Sequence, residues 1–284
     1  MKKMQLFDSK QKHFISEGSV KQDMLRAVMD DAFFNNTHEE NFVVSSQPGL
    51  GKSFEMDARR DKANVLLIEG SASMAFLTIQ VATAVYMAGG SPLTIVLDDC
   101  DTLFEDNNLN TAKKMFDQSA CLQYNKMAKS LKQYCSDVQW EAIESFTTDL
   151  DAGFKVDLNN VTFIIITNRH LATANEADNA ESGSKKHTRF TDQYAIRRRT
   201  NYEEIAMDKM DLWGYVANVV LNEKICEKFY TDIEDDQKVQ ILTWAYSRWD
   251  RVTERNLSLA EKMTKDMLRF KNYLDVWDKK YLEV

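Results

Sequence analysis

The sequence predicts an α/β fold: a parallel β-sheet covered by helices on both faces, followed by a smaller all-helical domain. Three observations carry that prediction. Short apolar runs at Phe42–Ser45, Val65–Ile68, Leu93–Leu97 and Val161–Thr167 have strand length and almost no polar alternation, as strands buried on both faces do. Helical patterns at Ser73–Met87 and Asn110–Tyr134 separate the later runs, so successive strands need crossovers and run parallel. Beyond Met207 the strand-like runs stop, and Asp211–Glu223, Asp235–Arg248 and Ser258–Trp277 read as helices.

In chain order, Val20–Phe34 reads as an amphipathic helix within an N-terminal segment, residues 1–40, and the α/β domain takes residues 41–207. Residues 208–284 form the helical domain. Between Asn175 and Gln193 the chain turns polar around Glu181-Ser182-Gly183-Ser184-Lys185-Lys186, which reads as an exposed loop or insertion. No internal repeat is visible.

Composition narrows the function classes. A chain of 284 residues with 44% hydrophobic content can bury a real core, and a net charge of -8 argues against a generally basic nucleic-acid binder while leaving a local contact open. The four cysteines, Cys100, Cys121, Cys135 and Cys226, lack paired spacing, so reduced thiols are expected and a zinc cluster is not. Ala72–Ala88 carries Gln80 and many small residues, and Val161–Thr167 is too short to span a bilayer, so no membrane segment is expected. Met1-Lys2-Lys3 leads into polar residues instead of a signal sequence, and a cytoplasmic location is the expectation.

The chemistry begins where the first apolar run enters Ser46-Gln47-Pro48-Gly49-Leu50-Gly51-Lys52-Ser53. Glycines there let backbone N–H groups close around phosphate oxygens, Lys52 supplies a cation, and the Ser53 hydroxyl can ligate Mg²⁺. Ser46 stands where the usual pattern has glycine, and a strongly positive φ there would cost about 1 kcal/mol. About forty-five residues on, Leu93–Leu97 runs into Asp98-Asp99; Asp98 is a candidate Mg²⁺ ligand and Asp99 a candidate for polarising water. Asp101 reads as a helix cap or as a support for those two acids. Phe163–Thr167 ends at Asn168, which by itself reads equally as a turn residue.

Taken in order, these motifs resemble AAA+ ATPases over roughly residues 15 to 270, and Asp98-Asp99-Cys100-Asp101 with Gly70-Ser71-Ala72-Ser73 looks most like AAA-type ATPases encoded by tailed bacteriophages. The resemblance implies a P-loop NTPase fold with an α-helical lid, ATP and Mg²⁺ as cofactors, and a homo-oligomer, most often a hexameric ring. It implies that Asn168 aligns the attacking water. Family members carry an arginine finger before the last strand of the domain, and Ala195-Ile196-Arg197-Arg198-Arg199-Thr200 fits, with Arg199 the first candidate and Arg198 the next. Where the lid of relatives bears an arginine this chain has Ala260; Arg255 and Lys262 lie near enough to substitute, but each reads first as a helix-surface charge. Met74 and Phe76 fall where relatives project a pore loop, although Met74, Leu77, Ile79 and Val81 also read as a buried helix face. His170 and His187 read as loop histidines.

Two functions follow as expectations. In the first, ATP hydrolysis drives a conformational change in a homo-oligomer acting on a protein or DNA-replication client. In the second, the chain is a nucleotide-gated loader or adaptor that hydrolyses little until a partner binds; the short Asp99 side chain and Ala260 favour it.

Overall fold

The computed structural model describes residues 6–35, 40–60, 65–70, 73–117, 120–223, 225–227 and 233–283. Its central sheet holds five strands, β1 (Phe42–Ser46), β2 (Val65–Glu69), β3 (Leu93–Asp98), β6 (Val161–Thr167) and β7 (Asn201–Ile205), in the spatial order β2-β3-β6-β1-β7. The β2/β3, β3/β6 and β1/β6 pairs are parallel, with Ile68 opposite Leu97, Asp98 opposite Ile166, and Ser45 opposite Thr167. Every residue of β1, and all but one each of β3 and β6, are buried, which is why those runs show no alternation. The two edge strands are wetter. This is an α/β fold with a parallel sheet flanked by helices, compatible with a Rossmann-like or P-loop arrangement.

Helix α1 (Ser9–Asp30) begins eleven residues before the expected start and continues into a π-helical turn at Asp31–Asn35. Helix α2 (Lys52–Asp57) is short, and α3 (Met74–Ala88) is bounded by Ser73, whose hydroxyl accepts from the Phe76 N–H, and by left-handed Gly89. The expected helix over Asn110–Tyr134 is not formed as one element. It resolves into α4 (Leu109–Met115), β4 (Cys121–Tyr124) and a 3-10 segment, Ala128–Tyr134. Strand β4 pairs antiparallel with β5 (Phe154–Asp157), whose inward Phe154 and Val156 join the core, so long-range pairing overrides local helical pattern there. Helix α5 (Asp137–Ser145), which packs on α3, also escaped the reading.

The polar stretch from Asn175 to Gln193 is helical over most of its length, in α6 (Ala174–Asp178) and α7 (Lys185–Arg197). A capping box, Thr173 with Glu176, starts the first and Ser184 caps the second; α7 buries only Gln193 and Ile196, so its apolar stripe is too thin to show in the sequence. The last helices are α8 (Lys209–Asn222), α9 (Asp235–Arg248), α10 (Leu257–Arg269) and α11 (Tyr273–Lys280); the expected single helix over Ser258–Trp277 is two, parted at Phe270–Asn272. No helix among the described residues is long and apolar enough to cross a membrane.

By contacts the chain forms two compact units. One comprises residues 1–27, 47–55 and 205–284; the other comprises residues 28–46 and 56–204 and contains the sheet up to Glu204. The glycine-rich loop thus belongs with the C-terminal helices, and the two acids and Asn168 belong with the sheet.

Candidate functional site

Within the first unit, the loop that leaves β1 is shaped by two glycines in the left-handed region, Gly49 at φ +77° and Gly51 at φ +74°. Ser46 is not among the positive-φ residues; it ends β1 as a buried strand residue, so the strain anticipated for a serine does not arise. Pro48 and Gly49 are exposed and Leu50 is buried. Three contacts fix the loop. The Gln47 amide donates to the Met207 carbonyl at 2.8 Å, the Tyr215 hydroxyl donates to the Leu50 carbonyl, and the Leu257 N–H donates to the Gly49 carbonyl at 3.2 Å. Burial pushes the Tyr215 phenol up. A Cβ on Gly49 would lie 2.3 Å from Cβ of Asn256, the residue that caps α10, so the loop and the start of α10 are in backbone-close contact. Lys52 is buried, and its ammonium donates to the Gln47 carbonyl at 3.2 Å, while Ser53 is exposed. Because α2 has only six residues, phosphate binding here would rest on the loop's own N–H groups more than on a helix dipole.

Within the second unit, β3 and β6 are hydrogen-bonded neighbours, and their carboxyl ends bring Asp98, Asp99 and Asn168 together. Asp98 is buried at the last position of β3. Asp99 follows at φ +55°, the one non-glycine residue with positive φ among the described residues, a conformation that costs about 1–2 kcal/mol and that aspartate tolerates better than most. Its N–H donates to the Ile166 carbonyl at 3.0 Å, and its carboxylate accepts from the Asn168 side-chain amide at 2.8 Å. Asp101 caps no helix. Its carboxylate accepts from the Thr167 hydroxyl at 2.6 Å and from the Arg169 guanidinium at 3.1 Å, while Ser45 of β1 donates to the Arg169 carbonyl at 2.8 Å.

His170 comes next. One ring nitrogen lies 2.9 Å from Glu176 and the other 2.9 Å from Glu204, so the ring bridges two carboxylates. The Glu176 hydrogen bond, with help from Glu204, raises the His170 pKa above the ordinary histidine value; in return His170, and then Thr173, hold Glu176 down to about 2. Reading His170 as an ordinary loop histidine missed this bridge. His187 sits on the first turn of α7, its ring 3.2 Å from the Ala177 carbonyl oxygen.

Arg199 lies at the opposite edge of the sheet. It follows the end of α7 and precedes β7, whose first N–H, on Asn201, donates to the carbonyl of Asn41 just ahead of β1. With Arg198 it lines an open cleft of about 830 Å³ that also contains Val161 and Thr162 at the start of β6. Both arginines are exposed, and the Arg199 Nε is 3.6 Å from Asp117. Arg197 instead turns inward, donating to the Leu171 carbonyl at 3.0 Å over the Tyr202 ring.

Ala260 is buried in the first turns of α10, and neither neighbouring cation stands in for an arginine there: Arg255 donates to the Trp249 and Asp250 carbonyls, and Lys262 pairs with Glu254. Of the Met74 stripe, Leu77, Ile79 and Val81 are buried, Met74 packs partly against the core, and Phe76 is exposed. Ser71 and Ala72, in the segment compared with a pore loop, lie outside the described residues. All four cysteines are free. Among the described residues no group of three or more His, Cys, Asp or Glu side chains is arranged to hold a metal ion. In comparisons with known proteins, the chain matches no family model and no curated protein.

Proposed function

We propose that this protein binds and hydrolyses ATP with Mg²⁺ and does so as a homo-oligomer of the AAA+ type. The observation that carries the proposal is the hydrogen bond between Asn168 and Asp99. Two residues sixty-nine positions apart, picked from the sequence as the water-aligning amide and the water-polarising acid, meet at the ends of adjacent strands. In this reading Gln47–Ser53 cradle the phosphates through backbone N–H groups and Lys52; Ser53 and Asp98 would be the Mg²⁺ ligands, and the ion would offset charge on the transferring phosphoryl group. Asp99 orients the attacking water and accepts its hydrogen bond, and Asn168 fixes Asp99 in place.

Arg199 supports action between subunits. Asp99 and Asn168 sit at the carboxyl edge of the sheet and Arg199 at its amino edge, a separation of about 16 Å for strands of five residues, farther than an arginine side chain reaches. A guanidinium there serves a neighbour's site, which makes the contact head-to-tail and suits a closed ring such as a hexamer. The client is a protein or a component of DNA replication, and a phage origin fits the motif resemblance.

The deciding experiment measures phosphate release and solution mass together, with and without ATP·Mg²⁺, for the native chain, Lys52→Ala and Asp99→Asn. Turnover that needs Lys52 and Asp99, with a nucleotide-dependent rise in mass for Asp99→Asn, is the expected result. Absence of turnover and of nucleotide binding in the native chain would overturn the proposal. A second reading, a loader that stays nearly silent alone, is favoured by the buried Ala260 and by Arg255 and Lys262 each being engaged elsewhere. It predicts nucleotide binding with turnover that rises only when a partner is added.

A further inference from the structure

We propose that Asp101 is a positioning residue for Asn168, gripping the residues on either side of it. Three contacts support this. Thr167, fully buried, donates to one Asp101 oxygen, and Arg169 donates to the other. The Arg169 N–H donates to the Thr167 hydroxyl at 3.0 Å, so Thr167, Arg169 and Asp101 form a closed loop around the peptide that bears Asn168. Asp101 is itself anchored, because it opens the 3-10 turn Asp101–Phe104 whose Leu103 and Phe104 are buried in the core.

The consequence is geometric. Asp99 stands two residues before Asp101, so one short segment supplies both the partner of the Asn168 amide and the clamp on its backbone. Asparagine at 101 keeps the volume and can still accept from Thr167. Its NH₂ group, however, faces the Arg169 donors, so one arm of the clamp is lost. Asn168 then loses its fixed direction toward Asp99. The catalytic part of this inference rests on the ATPase reading, whereas the positional part does not.

The test therefore has two readouts. In uniformly ¹⁵N-labelled full-length protein, the Asn168 side-chain amide signal is assigned by its absence in Asn168→Ala. Asp101→Asn is expected to move or broaden it, and Arg169→Gln, a change at a half-exposed side chain, to move it less and in the same direction. An amide signal unchanged in both variants overturns the proposal. In steady-state turnover, Asp101→Asn should lower kcat about tenfold with KM within about twofold, and should lower it no further in an Asn168→Ala background. A full tenfold loss in that background would show that Asp101 does not act through Asn168 and would overturn the proposal. Should the native chain neither bind nor turn over nucleotide while the amide signal responds to both variants, the ATPase reading falls and the clamp stands.

Discussion

The glycine loop of one unit and the acid-amide turn of the other are built by opposite means. The loop is held through backbone: two left-handed glycines, and carbonyls of Gly49 and Leu50 that accept from Leu257 and Tyr215. The turn is held through side chains, with Asp99, Asp101, Thr167, Asn168, Arg169 and His170 each bonded to another side chain. On the proposed reading, the loop takes phosphate oxygens and so has to present N–H groups and no bulk. A surface that must direct a water has to present fixed acceptors, and these need charged neighbours to fix them. The two should therefore fail in different ways: the loop when bulk is added, the turn when charge is changed.

Adding bulk to the loop gives the largest expected effect. Gly49→Ala puts a methyl group 2.3 Å from the Asn256 Cβ and forces alanine to φ +77°, where the backbone alone costs about 1–2 kcal/mol. Loss of measurable nucleotide binding together with a clearly lowered unfolding midpoint is expected, read by a fluorescent nucleotide analogue and by calorimetry. Near-native values for both would show that the loop does not depend on backbone approach.

The sheet edge opposite the acids gives the next effect. Arg199→Ala should leave nucleotide affinity within about twofold and lower turnover about a hundredfold or more, because a finger acts on charge that develops in the transition state. Mixing it with Asp99→Asn should partly restore turnover if the two residues serve the same site from different subunits. An inactive mixture would place them in one subunit and break the contrast between the two sheet edges.

How much of this was legible follows from the same contrast. Four strands of the central sheet, β1, β2, β3 and β6, were readable to within a residue because residues such as Val43, Ile95 and Ile164 are buried on whichever face they point to, and continuous apolar runs need no partner to be seen, whereas β7, with two exposed glutamates, shows no such run. The hairpin at Cys121–Tyr124 and Phe154–Asp157 was not, since four-residue strands become strands only through pairing across thirty residues. Likewise Gly49, Lys52, Asp98 and Asn168 were named from local motifs. The bracket around Asn168 depends on register, with Asp98 opposite Ile166, and only the spacing of Asp99 and Asp101 and the run Thr167-Asn168-Arg169 hinted at it. The packing of Asn256 and Leu257 on the loop had no local signal, because it joins segments two hundred residues apart.

A smaller effect sharpens the backbone side of the comparison. Tyr215→Phe removes the hydroxyl that serves the Leu50 carbonyl in a buried setting, and should cost about 1–3 kcal/mol of stability, seen as a lower denaturation midpoint at unchanged slope. Nucleotide affinity should fall with it, since the loop's carbonyls and N–H groups share one backbone. A stability loss with affinity unchanged would mean that this contact holds the helices and not the loop.

The smallest expected effect tests the side-chain half by pH. His170 has a raised pKa, so its bridge to Glu176 and Glu204 stabilises the fold fully below the unfolded histidine value of 6.5 and fades as pH rises through the higher folded value. Glu176, held at about 2, contributes above its unfolded value of 4.5 and loses that contribution as pH falls toward 2. Both contributions are present between those two unfolded values. The ring and both carboxylates are part-exposed, so solvent screening keeps the bridge below about 1 kcal/mol, or about 2 °C of unfolding midpoint. His170→Gln should flatten the midpoint-against-pH curve on its alkaline side and leave nucleotide affinity unchanged, because the loop that would bind phosphate carries none of these charges. An alkaline decline that persists undiminished in the variant would move the titration from His170 to another group.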